Sequence, residues 1–289
     1  MTPYTDVLHD LMADMAARLE PLQHVDMSRL LVLAGPRWRR GGGGTYAILR
    51  SLADSEDVVH FRYDRRTRRL LSVSEPYRLL APRVLIAGQE QRYVLEVRLP
   101  RLCDGRPPLE TLVHELLHVH DRCDGTFRRM RHGRRYEAAT EGWAAEWLRL
   151  APPHLARVAQ MTFPEARRYL GRMVCRCLRT GLARPVPVRG AATADPRRHP
   201  AIGRMGLQVV GDVPVVPVRC VGEEARRLYD ERDLVWCEFS LRAARRLPAD
   251  EAAVLGLDGP ARARVPEGIG PRGANTDSGG VGDQLVLFA

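Results

Sequence analysis

Lysine is absent from this sequence of 289 residues, so all 45 of its basic side chains are arginines. Six cysteines are present without any C-x-x-C pair, and this spacing supports neither a zinc ribbon nor a disulfide framework. No apolar run reaches the length of a transmembrane helix, and Asp6, Asp10 and Asp14 interrupt the region where a signal peptide would be apolar. We therefore expect a cytoplasmic protein.

The strongest chemical signal is an H-E-x-x-H motif, formed by His114, Glu115 and His118 within an apolar, helical pattern. Residues four positions apart lie on one face of a helix, so both imidazoles can bind the same zinc ion. Glu115, one position round the helix, is placed to act as the general base of a metallopeptidase. The alternative is a chance match in a helix that binds no metal.

A catalytic zinc needs a third protein ligand, and the sequence offers His132, Glu141 and Glu137. His132 opens the segment H-G-R-R-Y, which resembles the H-G-x-x-F/Y segment that supplies the third histidine in SprT-like (Spartan-type) metallopeptidases. Glu141 lies in T-E-G-W-A, which resembles the N-E-G-F-A helix of gluzincins, where glutamate is the third ligand. Glu137, one helical turn before Glu141, is a weaker candidate for the same role of third ligand.

The chain between His118 and His132 favours His132. Residues 124–129 read D-G-T-F-R-R and are similar to the D-G-x-x-R-R stretch of phage-encoded metallopeptidases in the SprT-like group. Membership of this group implies a zincin-like fold, a zinc cofactor and a protein substrate. It also implies that a strand before the motif helix binds the substrate backbone, and Arg92–Leu99 is the β-rich run in that position.

The chain is strongly basic, with a formal net charge of +10 and a pI near 9.9. Arginine forms paired hydrogen bonds with phosphate, and a basic surface gains affinity for nucleic acid through counterion release. Arg128, Arg129 and Arg131 follow the motif helix, where they would place DNA beside the zinc. The alternative is a compositional bias that solvates the surface without a partner, but the clustering of the arginines favours DNA.

Residues 258–282 are rich in Gly, Pro, Arg, Asp and Ser, a composition that predicts a disordered tail. The apolar peptide that follows contains Gln284, Leu285, Leu287 and Phe288. It resembles the Q-L-x-L-F peptide with which bacterial replication proteins bind the sliding clamp of DNA polymerase, and eukaryotic Spartan-type proteases also carry a clamp peptide in a disordered tail. The alternative is a terminal strand that folds back onto the core.

The apolar pattern predicts an α+β fold in which a small mixed sheet leads into the motif helix. The other predicted helices cover 4–19, 136–150 and 164–178. The predicted strands of the amino-terminal part cover 30–34, 58–63, 70–73, 84–86 and 93–99, with a hairpin turn at 64–69 and a reversal at Gly88.

Composition divides the chain into four predicted parts. Residues 1–180 would form a zincin-like metallopeptidase domain, and 181–205 a linker rich in proline and arginine. Residues 206–257 would form a small accessory α/β unit, and 258–289 the disordered tail with its terminal peptide.

Three functions are compatible with these features. The leading hypothesis is a SprT-like zinc endopeptidase that acts on proteins near or on DNA. The second is a gluzincin-type metallopeptidase with Glu141 as the third ligand and no role at DNA. The third is a protein that binds DNA and the sliding clamp and carries a vestigial peptidase site.

Overall fold

The computed structural model describes residues 1–36, 45–103, 108–128, 130, 132–189, 195–218 and 226–257. Helices and strands are mixed along this part of the chain, and the predicted α+β class is confirmed. Its α-helices are α1 (Tyr4–Arg18), α2 (Leu109–Leu117), α3 (Arg134–Leu150), α4 (Pro153–Ala159), α5 (Phe163–Leu170), α6 (Pro200–Arg204) and α7 (Ala249–Val254). None of these helices combines the length and the apolar character that a membrane span requires.

Strands of two to seven residues make up the rest of the regular structure. They are β1 (Leu30–Pro36), β2 (Ala47–Ser51), β3 (Asp57–Val58), β4 (Phe61–Tyr63), β5 (Leu70–Ser74), β6 (Tyr77–Leu80), β7 (Arg83–Ile86), β8 (Gln89–Glu90), β9 (Tyr93–Leu99), β10 (Val174–Leu178), β11 (Val186–Arg189), β12 (Val215–Val216), β13 (Leu228–Tyr229), β14 (Leu234–Phe239) and β15 (Ala244–Arg246). Within the described ranges they pair as five three-stranded sheets, in the orders β1-β9-β2, β10-β14-β15, β11-β6-β3, β12-β5-β4 and β13-β7-β8.

The sheet β1-β9-β2 is the mixed sheet that the sequence predicts ahead of the motif helix. β1 runs parallel to β9, with Leu30 opposite Tyr93, and β2 runs antiparallel to it, with Leu49 opposite Leu95. β9 therefore has a partner strand along both of its edges. The expectation that Arg92–Leu99 binds a substrate backbone is wrong, because the backbone groups of that strand are already used within the sheet.

The main core lies where α1, α2 and α3 pack with the mixed sheet. α1 buries Tyr4, Leu8, Leu11, Met12 and Met15, a helical spacing that confirms the first predicted helix. These side chains share one hydrophobic cluster with residues of α2, α3 and β9. The helix that carries the motif is therefore held between a sheet and two other helices, which restricts its movement.

The helix predicted over 164–178 is only half right. α5 ends at Leu170, Gly171 adopts a positive φ of +77°, and Val174–Leu178 form strand β10 instead. β10 pairs antiparallel with β14 and is buried on both faces, so its apolar residues do not alternate with polar ones. An apolar run of this kind cannot be assigned to a helix or a strand by its periodicity.

The reversal predicted at Gly88 is present, but it joins a different pair of strands. Ala87 and Gly88 both have positive φ angles and make a two-residue turn between β7 and β8, with Ile86 opposite Gln89. The chain then leaves this hairpin, and β9 enters the mixed sheet. The hairpin predicted around 64–69 is confirmed as β4 and β5, with Phe61 opposite Val73.

Residues 206–257 share sheets and cores with the first 180 residues. β14 pairs with β10, β12 with β5, and β13 with β7. Phe239 of β14 belongs to the main hydrophobic cluster around α1, and Tyr229 of β13 packs in a second cluster with residues of β1 and β7. The predicted accessory unit is therefore interleaved with the part of the chain that carries the motif.

Candidate metal centre

Helix α2 fixes the orientation of the H-E-x-x-H motif. It begins after Pro108, and the residues at helical spacing on one side are buried: Leu109, Leu112, Val113, Leu116 and Leu117. This apolar stripe faces the core. His114, Glu115 and His118 consequently lie on the other side, only partly buried, with His118 at the carboxyl end of the helix.

A tight reversal after α2 brings the chain back to the motif. The backbone N–H of Arg128 donates to the carbonyl of His118 at 2.9 Å, and Val119 forms an isolated antiparallel bridge with Phe127. Tyr93 of the central strand donates its hydroxyl to the carbonyl of Thr126 at 2.6 Å. The reversal is therefore hydrogen-bonded to the sheet, and it directs the chain back toward His132.

Gly125 is the residue that this reversal requires. Its φ is +94°, and a Cβ there would lie 2.9 Å from the Cβ of Ala53 and 3.1 Å from the backbone nitrogen of Ala53. A side chain at this position would therefore meet both backbone strain and a steric clash.

We expect Gly125→Ala to lower the free energy of unfolding by about 2–4 kcal/mol and to reduce bound metal, because the path to His132 is displaced. Denaturant unfolding and elemental analysis measure the two effects. Gly88→Ala is the matched control: its φ is +77° with open space around the Cβ position. It should lower the free energy of unfolding by only about 1–2 kcal/mol and leave the metal content unchanged. Equal effects of the two variants would contradict a steric clash at Gly125.

Three imidazoles converge at the end of α2. The Nε2 atom of His118 lies 3.2 Å from Nε2 of His114 and 3.1 Å from Nε2 of His132. Ligand nitrogens about 2.0–2.1 Å from a tetrahedral metal lie about 3.3 Å from one another. The three histidines are therefore close enough to hold a metal ion, and they are the group with this property among the described residues.

The surroundings of His114 and His118 keep these two imidazoles neutral near pH 7. Burial, together with the neighbouring His114 and His132, lowers the pKa of His118 to about 4. Burial and the nearby His132 also lower the pKa of His114, against an opposing effect of Glu137. A neutral imidazole has a free lone pair, which is the form that binds a metal.

The two acidic candidates for the third ligand lie elsewhere on α3. Glu141 is exposed and does not belong to the group of side chains that could share a metal. Glu137 is also exposed. Its charge raises the pKa of His114, but it does not belong to the group of side chains that could share a metal. The geometry therefore favours His132 over Glu141 and Glu137.

Glu115 lies beside the histidines and is bound by the edge of the sheet. The backbone N–H of Leu49 in β2 donates to its Oε2 at 2.9 Å. Burial raises the pKa of Glu115 to about 7, although this hydrogen bond opposes the rise. A carboxylate with a pKa near neutrality is suited to accept and return a proton at neutral pH.

Strand β2 presents its outer edge to the motif. Tyr46 accepts a hydrogen bond from Arg98, and Leu52 donates one to Arg92, both at 2.9 Å and both toward the side of β9. Backbone groups alternate along a strand, so those of Ala47, Leu49 and Ser51 point away from β9. The sequence interpretation missed this strand. Its only signal in the sequence was the apolar run Ala47-Ile48-Leu49. Its contact with Glu115 uses a backbone N–H, which leaves no mark on the residue pattern.

The chain matches no known family model, no curated protein and no solved structure. The resemblance to SprT-like enzymes accordingly rests on the motifs in the sequence. The geometry of the three histidines and Glu115 is the independent support for a metal centre.

Tyr136 is a second contributor to the site that sequence reasoning did not identify. Its ring is buried, with centroids 5.0 Å from His114, 6.0 Å from His118 and 5.2 Å from His132. Its hydroxyl donates to the carbonyl of His114 at 3.1 Å. Burial, and the charge of Glu115, raise the pKa of Tyr136 to about 12, so the hydroxyl keeps its proton.

We expect Tyr136→Phe to retain bound metal and to lose about 0.5–1.5 kcal/mol of stability, the usual contribution of one hydrogen bond. Tyr136→Ala should cost about 3–5 kcal/mol, because it leaves a cavity beside the imidazoles, and should weaken metal binding about 10–100-fold. Denaturant unfolding and metal titration of both variants separate the hydroxyl from the ring. Metal loss in the Phe variant would show that the hydroxyl, not the ring, orders the site.

The predicted DNA-binding arginines are only partly described. The Arg128 side chain is about a quarter exposed, forms an ion pair with Asp121 and donates to the carbonyl of Pro21 at 3.4 Å. Arg129 and Arg131 lie outside the described residues. The predicted clamp-binding residues also lie outside them: Gln284, Leu285, Leu287 and Phe288.

Proposed function

We propose that this chain is a zinc-dependent endopeptidase of SprT-like type that cleaves proteins near or on DNA. The observation that carries the proposal is the convergence of His114, His118 and His132 next to Glu115. Three histidine nitrogen donors with one position left for water are a donor set of catalytic zinc sites. His132 is exposed, so the cluster is open to solvent on that side.

His114, His118 and His132 would hold the zinc. When bound, zinc acts as a Lewis acid on a carbonyl and makes water a stronger nucleophile. Glu115 would accept the proton of the attacking water at its carboxylate and pass it to the leaving amine. The N–H of Leu49, 2.9 Å from Oε2, orients that carboxylate while the other oxygen is left for the proton.

The outer edge of β2 would bind the substrate backbone. It lies against Glu115 through Leu49, and its alternate backbone groups point away from β9. The N–H of Leu49 is used by Glu115, so an extended peptide would add through the backbone groups of Ala47 and Ser51 and the carbonyl of Leu49. Such pairing would align a peptide bond with the carboxylate. In this proposal β2 takes the role that the resemblance assigns to Arg92–Leu99.

Location at DNA is supported by composition and by the terminal peptide. The net charge of +10 favours nucleic acid, and Q-L-V-L-F at 284–288 would bind the sliding clamp through its apolar side chains. A flexible connection to a clamp would raise the local concentration of the peptidase at DNA. The same peptide also favours the alternative function, a DNA- and clamp-binding protein with a vestigial peptidase site.

Purified full-length protein tests the proposal. We expect near-stoichiometric zinc and cleavage of an unfolded protein that stops when a chelator removes the zinc. Clamp binding that is lost on replacing Leu287 and Phe288 with alanine, in a chain that holds no zinc and cleaves nothing, would favour the binding protein instead. Addition of DNA then shows whether cleavage depends on it.

A further inference from the structure

The hairpin of β4 and β5 exposes five arginines, and no step of the proposed reaction uses them. We call residues 61–74 the arginine hairpin. Its two strands pair antiparallel, with Arg62 opposite Ser72, and the turn between them reads D-R-R-T-R-R. The exposed guanidinium groups belong to Arg62, Arg65, Arg66, Arg68 and Arg69.

The turn of the arginine hairpin is well ordered by its own hydrogen bonds. The carboxylate of Asp64 accepts hydrogen bonds from the backbone N–H groups of Arg66 and Thr67, each at 2.8 Å. The backbone N–H of Asp64 donates to the carbonyl of Arg69 at 2.9 Å. The single acidic side chain of the turn is thereby engaged with the backbone. The cations on either side of it project from a fixed turn.

A second segment supports the arginine hairpin from behind. Gln208 donates its N–H to Arg68 and accepts from the N–H of Leu70, at 3.1 and 3.0 Å. The guanidinium of Arg68 lies 5.2 Å from the centroid of the Tyr63 ring and donates to the carbonyl of Met205. Arg68 is therefore a structural residue of this surface, whereas its neighbours extend into solvent.

The remaining arginines of the hairpin are not held in ion pairs, although the charge of Arg69 acts on the carboxylate of Asp64 in the same turn. Arg62, Arg65, Arg66 and Arg69 form no ion pair with any carboxylate of the described residues, which sets them apart from arginines such as Arg172, whose guanidinium binds two glutamates at 2.6 Å. Unpaired cations held on a rigid turn form a concentrated positive field. Such a surface requires an anionic partner or remains fully solvated.

We propose that the arginine hairpin is a binding surface for the phosphate backbone of nucleic acid. Guanidinium groups bind phosphate in a bidentate manner, and here the chain uses arginine alone, without lysine. A membrane surface is a poorer match, because the turn from Asp64 to Arg69 has no apolar side chain to insert between lipids. This inference rests on the location at DNA proposed above and assigns that contact to particular residues, but the surface does not depend on zinc or on peptidase activity.

The test is a salt series of DNA binding by the full-length chain, with a labelled duplex followed by fluorescence anisotropy. Replacing Arg65, Arg66 and Arg69 with alanine should reduce the slope of log K against log salt by about 2–3, since each phosphate contact contributes about 0.9. At 0.1 M salt the affinity should fall by about a hundredfold. Arg68 is left in place because it binds Met205.

A second triple variant controls for net charge. Arg149, Arg168 and Arg242 are also exposed and form no ion pair with a described carboxylate, so replacing them with alanine removes the same charge from other places. Unfolding midpoints of both triple variants check that the chain still folds. A loss of affinity and slope confined to the hairpin variant supports the proposal.

Three outcomes would overturn it. The first is an equal loss in both triple variants, which would mean a net-charge effect; the second is no binding by the wild-type chain at low salt. The third is displacement of DNA by poly-glutamate at equal charge concentration, which would identify an acidic protein as the better partner. None of these outcomes alters zinc content or cleavage, so failure here is distinguishable from failure of the proposed peptidase.

Discussion

Replacing His132 with alanine is expected to remove zinc from the purified protein, whereas replacing Glu141 with alanine leaves the zinc content of the wild type. The Nε2 atom of His132 lies 3.1 Å from that of His118, inside the group that could share a metal. Loss of a direct ligand should exceed the roughly 10–100-fold loss of affinity that accompanies loss of an outer partner. Elemental analysis and competition with a chromogenic chelator measure zinc per chain and affinity.

Both residues are exposed, so neither substitution should disturb the core, and an unfolding midpoint close to that of the wild type checks this. His114→Ala serves as a positive control, because both hypotheses assign it as a ligand. Zinc lost with Glu141 and retained without His132 would move the chain to the gluzincin arrangement. A wild type that binds no zinc would leave the arginine-rich surface and the terminal peptide as the basis for function.

The motif helix was predictable because two patterns coincide there. Apolar spacing along α2 defines the buried side, and the motif then places His114, Glu115 and His118 on the other side. Both patterns are local, so they can be read without knowledge of the tertiary structure. The first helix was predictable for the same reason, since Leu8, Met12 and Met15 follow one face of α1.

The sequence could not decide which of His132, Glu141 and Glu137 lies beside the motif histidines, because this depends on the return of the chain. Thirteen residues lie between His118 and His132, and a segment of that length can follow many paths. The observed path depends on the positive φ angles of Cys123 and Gly125 and on the hydrogen bond from Tyr93. The hydrogen bond joins distant segments, and the spacing of the motif residues encodes neither it nor these backbone angles.

The partners of the strands were the least predictable feature. β9 was recognised as a strand, but its central position follows from β2, a five-residue strand whose contact with Glu115 uses a backbone N–H. β10 was taken for helix because burial on both faces removes the alternation of polar and apolar residues. In both places tertiary packing, rather than local preference, decides the structure.

Glu115→Gln is expected to abolish cleavage while zinc stays bound. The amide keeps the size of the carboxylate, and its oxygen can still accept from the N–H of Leu49. It cannot take up the proton of an attacking water, and loss of a general base costs about 10²–10⁴-fold in rate. Stability should be equal or higher, because burial disfavours the charged carboxylate that the substitution removes.

Zinc per chain, the unfolding midpoint and cleavage of an unfolded protein are measured on the same preparation of this variant. Leu116 is fully buried next to Glu115, so Leu116→Ala is the matched contrast: it should lower the free energy of unfolding by about 2–5 kcal/mol without removing a proton acceptor. Inactive, zinc-loaded and stable Gln variants assign the proton transfer to Glu115. Cleavage at the wild-type rate by a zinc-loaded Gln variant would assign it elsewhere and leave the histidines as a metal site without this base.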